Sequence, residues 1–208
     1  MDQIKIEKTA RFITYGDEVK AKNIWFVLHG YGQLPEFFIR KLKYLDPEEN
    51  FIVAPEGFHR FYLNGTSGRV GASWMTKEAR EHDIEDNIKF LNQLSAKFNK
   101  DYENRIILGF SQGGATAARW HELGDFDATH FILWASVFPP DLEVKFEKSK
   151  FSLSKNTFVI GKKDPYYDKE KIDTTSKELS EIGFRTILFD GEHDINKTAL
   201  MELRNLLK

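Results

Sequence analysis

The sequence contains no cysteine. That excludes disulfide bridges, a thiolate nucleophile and any cysteine-ligated zinc or iron–sulfur centre, and it suits a reducing compartment. No apolar run approaches the roughly 18 residues that a membrane span requires, and there is no internal repeat or low-complexity tract. Neither sign of charge is in excess: 30 Lys+Arg stand against 32 Asp+Glu, a formal net charge of −2. The electrostatic grounds for expecting nucleic acid or an anionic membrane as partner are therefore missing. The first eight residues lack the basic and apolar regions of a secretory leader. These absences together predict a cytoplasmic protein without stable membrane insertion.

What is present is globular composition, with 41% hydrophobic and 30% charged residues in a chain of 208. One domain over 1–208 is expected, long enough to bury roughly 70% of the unfolded chain's surface without a metal or disulfide staple. Residues 4–7 and 12–15 alternate polar and apolar, as strands near a sheet edge do. Ile24-Trp25-Phe26-Val27-Leu28 is apolar throughout, and similar runs follow at 51–54, 105–108, 131–135, 157–160 and 186–189. Continuous apolar runs suit strands covered on both faces, as in a parallel sheet. Helix-period segments alternate with them at 35–45, 82–98, 112–123, 169–182 and 196–207. The pattern predicts an α/β fold with a mostly parallel central sheet and helices on both faces. Ligands in such sheets bind beyond the carboxyl ends of the strands. Residues 57–80, rich in Gly, Ser, Asn and aromatics, read as an irregular loop over that side.

Candidate chemistry therefore lies just after the apolar runs. Gly109-Phe110-Ser111-Gln112-Gly113 follows Arg105-Ile106-Ile107-Leu108 and opens a helix. This is G-x-S-x-G in the strand–turn–helix setting that a nucleophile elbow requires. Ten serines and 14 glycines in the chain would give only about 0.05 chance matches to the pattern. A serine hydroxyl needs an adjacent base. His193, in Asp190-Gly191-Glu192-His193-Asp194 after the last strand, stands where the order Ser…Asp/Glu…His puts it. His59, His82 and His121 read as surface residues, His130 as solvent-facing, and His29 as a structural residue holding its loop. Asp164, closing the preceding strand in Gly161-Lys162-Lys163-Asp164-Pro165, is favoured over Asp168, Asp190, Glu192 and Asp194 to orient the imidazole.

The oxyanion of an acyl-transfer intermediate needs two backbone donors. The Gln112 amide and the Tyr31 amide, in His29-Gly30-Tyr31-Gly32, fit that need. Trp74 and Phe138 are the candidates to wall an apolar acyl pocket. Residues 78–86 are acidic but read as the first turn of a helix rather than a metal site, so no metal is expected. No Walker or dinucleotide fingerprint occurs.

With these blocks in this order, Gly109–Gly114 being the most specific, the chain resembles the phospholipase/carboxylesterase family of α/β-hydrolases. The likeness extends to acyl-protein thioesterases, and the segment 64–80 is similar to a bacterial esterase branch. The resemblance implies an α/β-hydrolase fold with a minimal lid or none, a Ser111–Asp164–His193 triad, no cofactor, and a small-molecule ester or thioester as substrate. Short-chain carboxylic ester hydrolysis through an acyl-enzyme is the expected reaction. A lysophospholipase or thioesterase acting on long acyl chains is the alternative. A non-catalytic binding protein on a hydrolase scaffold is a further one, less favoured because no triad member is missing. Exposed aromatic loops would also suit a homodimer contact.

Overall fold

The apolar runs assemble into one seven-stranded sheet. The structure, a computed structural model, describes residue 2 and residues 4–207. In chain order the sheet's strands are β1 (Phe12–Tyr15), β2 (Asn23–Leu28), β3 (Asn50–Pro55), β6 (Asn104–Phe110), β7 (His130–Trp134), β8 (Lys155–Gly161) and β9 (Phe184–Phe189). Between β3 and β6 lie β4 (His59–Asn64) and β5 (Ser67–Ser73), which pair only with each other. The sheet order is β1-β3-β2-β6-β7-β8-β9, and every pairing is parallel except that of β1 with β3.

Helices α2 (Arg80–Ser95), α3 (Gln112–Leu123), α4 (Lys169–Glu181) and α5 (Lys197–Leu206) form most of the cover, with the short α1 (Pro35–Phe38) leading into a 3₁₀ turn. Because both faces are covered, alternate residues of the central strands are equally hidden: Ile24 to Leu28 are each 0% exposed. That is the physical reason these strands read as unbroken apolar runs rather than alternations. No described helix is long and apolar enough to cross a membrane. The α/β-hydrolase architecture read from the sequence is the architecture observed.

Three local expectations are corrected. Residues 4–7 form no strand, and Ile4 and Ile6 are 87% and 79% exposed; alternation marks an extended segment but supplies no partner edge. The segment 57–80 is not irregular, since most of it is the antiparallel β4–β5 hairpin. Its signal was Gly65, the first central residue of the two-residue turn between the paired Asn64 and Ser67, where a tight hairpin turn selects glycine; its φ is 62°.

His121 and His130, read as surface residues, are 1% and 4% exposed. The His121 ring stacks on Phe131 at 5.2 Å and meets Phe151 edge-on. His130 opens an interior strand and bonds Thr129 through Nδ1 at 2.9 Å.

Burial lowers both imidazoles to about 4, assisted at His121 by Lys150 and at His130 by Lys155 and Arg185. Between pH 6.5 and about 4 the unfolded chain therefore binds protons that the folded protein does not. Stability should fall as pH drops through that window, by up to about 1.4 kcal/mol per pH unit for each histidine. Urea unfolding across that range should show the slope, and a His121→Gln/His130→Gln variant should lessen it, the buried His29, also lowered to about 4, keeping a remainder; an equal slope in the variant would refute the assignment.

Candidate active site

Ser111 sits between the end of β6 and the first residue of α3, with φ 52° and ψ −125°. A non-glycine residue held there is strained, and the surroundings impose it. Its N–H donates to Trp134 O at 2.9 Å, tying the turn to β7. A Cβ at Gly109 would lie 2.4 Å from Gly114 Cα, and one at Gly113 would lie 2.5 Å from the carbonyl oxygens of Leu28 and His29. Backbones can approach this closely only without side chains, which is why glycine flanks the serine on both sides.

The structure brings Ser111, His193 and Asp164 into one hydrogen-bonded chain. Ser111 Oγ lies 3.0 Å from His193 Nε2, and His193 Nδ1 lies 2.7 Å from Asp164 Oδ2. A carboxylate only accepts, so Nδ1 carries the proton and Nε2 presents its lone pair to the hydroxyl. The Asp164 side chain is 0% exposed and that of His193 19%. Asp164 Oδ1 accepts from the Tyr166 N–H at 3.0 Å, which fixes the carboxylate from its other side. The histidine loop is held by the buried Trp134, whose indole N–H donates to Asp194 O at 3.0 Å, and by an ion pair of Lys41 with Asp194 at 2.5 Å. Asp168 instead caps α4, and Asp190 pairs with Lys163.

The loop 30–33 lies against the serine: a Cβ at Gly30 would be 3.2 Å from Ser111 Cβ. The N–H groups of Tyr31 and Gln112 donate to no described residue. The loop is fixed by the Gln33 side chain, which accepts from Gly30 N–H at 3.0 Å, and by two backbone bonds to Ala72 of β5. Beneath it His29 is fully buried; Nδ1 donates to Gly30 O at 2.8 Å and Nε2 accepts from Gly57 N–H at 3.0 Å. The bond accepted by Nε2 requires the neutral ring, and burial lowers its pKa to about 4.

A cleft of about 310 Å³ opens beside Ser111 and His193, walled by Met75, Ala115, Ala135, Val137, Tyr166 and Tyr167. It is not walled by Trp74 or Phe138, which corrects the sequence expectation for both. Trp74 is 0% exposed, with its ring against His29 and its N–H donating to His29 O at 2.8 Å. The small residues before it bring the chain close to the oxyanion loop rather than open it to a ligand. Phe138 packs its ring on Phe151 and Phe184, at 5.3 and 6.1 Å.

Two further groups escaped the sequence reading because only the fold brings their partners together. The Gln112 side chain accepts from Trp74 N–H at 3.1 Å and donates to Met75 O at 2.9 Å. Arg119 grips Asp141 through Nε and Nη2 at 2.9 and 2.6 Å, and Arg80 joins the same carboxylate. Hydrogen bonding from Arg119 lowers Asp141 to about 2. The Arg119 guanidinium also reaches Met75 Sδ at 3.7 Å, so this ion cluster backs the cleft wall.

A family model described as Serine hydrolase (FSH1) matches residues 19–201. No curated protein matches the chain. Among solved structures, the chain is similar to esterase PE8, at 19% identity over 97% of this chain and 98% of that one, with a TM-score of 0.67. It is similar to acyl-protein thioesterase 2 of Zea mays, at 14% identity over 96% and 100%, TM-score 0.72. The carboxylesterase of Bacillus cereus shares 16% identity over 95% and 93%, TM-score 0.65. At these identities the likeness is one of fold.

The hairpin's seat on the oxyanion loop is testable. A Cβ at Gly71 would come within 2.3 Å of Gly32 O, so Gly71→Ala should cost about 1–3 kcal/mol in urea unfolding. An unchanged midpoint would show that the loop yields freely.

Proposed function

Since the chain belongs to the FSH1 serine hydrolase family, we propose that it is a carboxylesterase-type hydrolase acting on short-chain esters through Ser111, His193 and Asp164. The observation that carries this reading is the continuous hydrogen-bonded chain from Ser111 Oγ through His193 to the buried Asp164 carboxylate. Ser111 attacks the ester carbonyl while His193 Nε2 takes its proton. The carbonyl oxygen becomes an anion facing the Tyr31 and Gln112 amides, which need no reorganisation to receive it. His193 then passes the proton to the departing alcohol, and an acyl-serine ester remains. Water enters, gives a proton to His193 and attacks; the acid leaves and the proton returns to Ser111. Nothing in this cycle calls for a cofactor.

Short acyl groups are favoured by the cleft's volume, about 310 Å³, at the lower end for small-molecule sites. A second reading, hydrolysis of long-chain thioesters or lysophospholipids, draws on the exposed Val137 and Tyr166 at the cleft's rim, 52% and 66% exposed, which would prolong an apolar path.

Turnover of a nitrophenyl ester series should peak at C2–C6 acyl groups, and a maximum at C12 or beyond would favour the second reading. Ser111→Ala should lower kcat by at least about four orders of magnitude and abolish labelling by a fluorophosphonate. A Ser111→Ala protein with wild-type turnover would end the proposal.

A further inference from the structure

We propose that the cleft recognises acyl groups that end in a carboxylate, so that short half-esters of dicarboxylic acids are the substrate class. This rests on the esterase reading above and deepens it. Most of the cleft wall is hydrocarbon, from Met75, Ala115, Ala135 and Val137, which suits the methylene part of such a chain. Lys171 brings a cation to that wall.

Lys171, in the first turn of α4, lines the cleft. Its ammonium lies 4.4 Å from the centroid of the Tyr167 ring and donates one hydrogen bond, to Tyr166 O at 2.9 Å. An ammonium carries three donors, so two are left for a ligand. No aspartate or glutamate lines the cleft to neutralise it; the nearby Asp168 carboxylate is engaged by the Lys171 backbone N–H at 2.8 Å as the helix cap. Tyr167, also lining the cleft, is 5% exposed, and its phenol has no hydrogen-bond partner among the described residues. That hydroxyl oxygen is enclosed by protein, so what Tyr167 presents to the ammonium is its ring face. A cation with free donors, seated on an aromatic ring beside a mostly apolar wall, matches a carboxylate carried on a short hydrocarbon stem. Catalysis is unchanged by this: the alcohol leaves with the proton from His193, water releases the acyl group, and a dicarboxylic acid is the product.

The test compares kcat/KM for monomethyl glutarate with that for its analogue in which isopropyl replaces the carboxylate, followed by acid release. The full-length wild type should prefer the half-ester by about tenfold. Lys171→Gln keeps a donor for Tyr166 O but removes the charge, and should reduce that preference about fivefold. Lys171→Glu should invert it. If Lys171 merely braces the turn that holds Asp164, both esters will slow together and the ratio will stay fixed, which overturns the proposal. Wild-type preference for the neutral analogue overturns it equally. Failure of the esterase reading looks different: neither ester is turned over and a fluorophosphonate leaves Ser111 unlabelled.

Discussion

The left-handed backbone at Ser111 is tolerable only because three polypeptide segments close on it without side chains between them. Gly109 lies against the first turn of α3, Gly113 against the end of β2, and the serine's own N–H is bound to the end of β7. Strain of this kind costs on the order of 1–3 kcal/mol and persists only where the surroundings over-determine it. Here the surroundings are the centre of the sheet. The three strands that converge on the turn are adjacent in the order β2-β6-β7, so the hydrophobic burial that holds the sheet also holds the serine out of an ordinary conformation. The adjoining loops inherit their positions from it: residues 30–33 follow β2, and residues 135–138 follow β7.

Around that centre, polar groups are satisfied by neighbours distant in sequence. The β4–β5 hairpin is joined to the loop 30–33 by backbone bonds between Ala72 and residues 32 and 33, and the chain just after it to α3 by the Gln112 side chain. His29 anchors both that loop and Gly57, just before the hairpin. The residue after the nucleophile therefore acts twice in the proposed site: its backbone amide faces the developing anion, while its side chain places Met75 on the cleft wall. The buried Arg119 guanidinium, held by the part-exposed Asp141 with Arg80, backs the wall from behind, and losing Asp141 would leave that guanidinium without its partner.

The fold was legible because its signal is redundant. Strands buried on both faces spell out apolar runs, and α3 was read at its observed bounds because glycine and serine mark its start. The order Ser111, Asp164, His193 was legible because the sheet's connectivity dictates where strand ends fall. What escaped the sequence is side-chain direction. Trp74 and Phe138 were each one residue from the cleft-facing Met75 and Val137, and in a non-helical chain neighbouring side chains face different ways. Proximity in sequence thus found the right segments but the wrong side chains. His121 escaped for a related reason, since Phe131, Phe151 and Ser154, which receive it, come from elsewhere in the chain; His130 escaped because its burial comes from the strands on either side of β7.

Trp134 links these levels. It is one of the largest fully buried side chains, part of the packing between β7 and its neighbours, and the same indole grips the loop that carries His193. No hinge or spacer separates the protein's interior from the proposed base. Loosening of the packing around Trp134 would therefore displace the loop that carries His193.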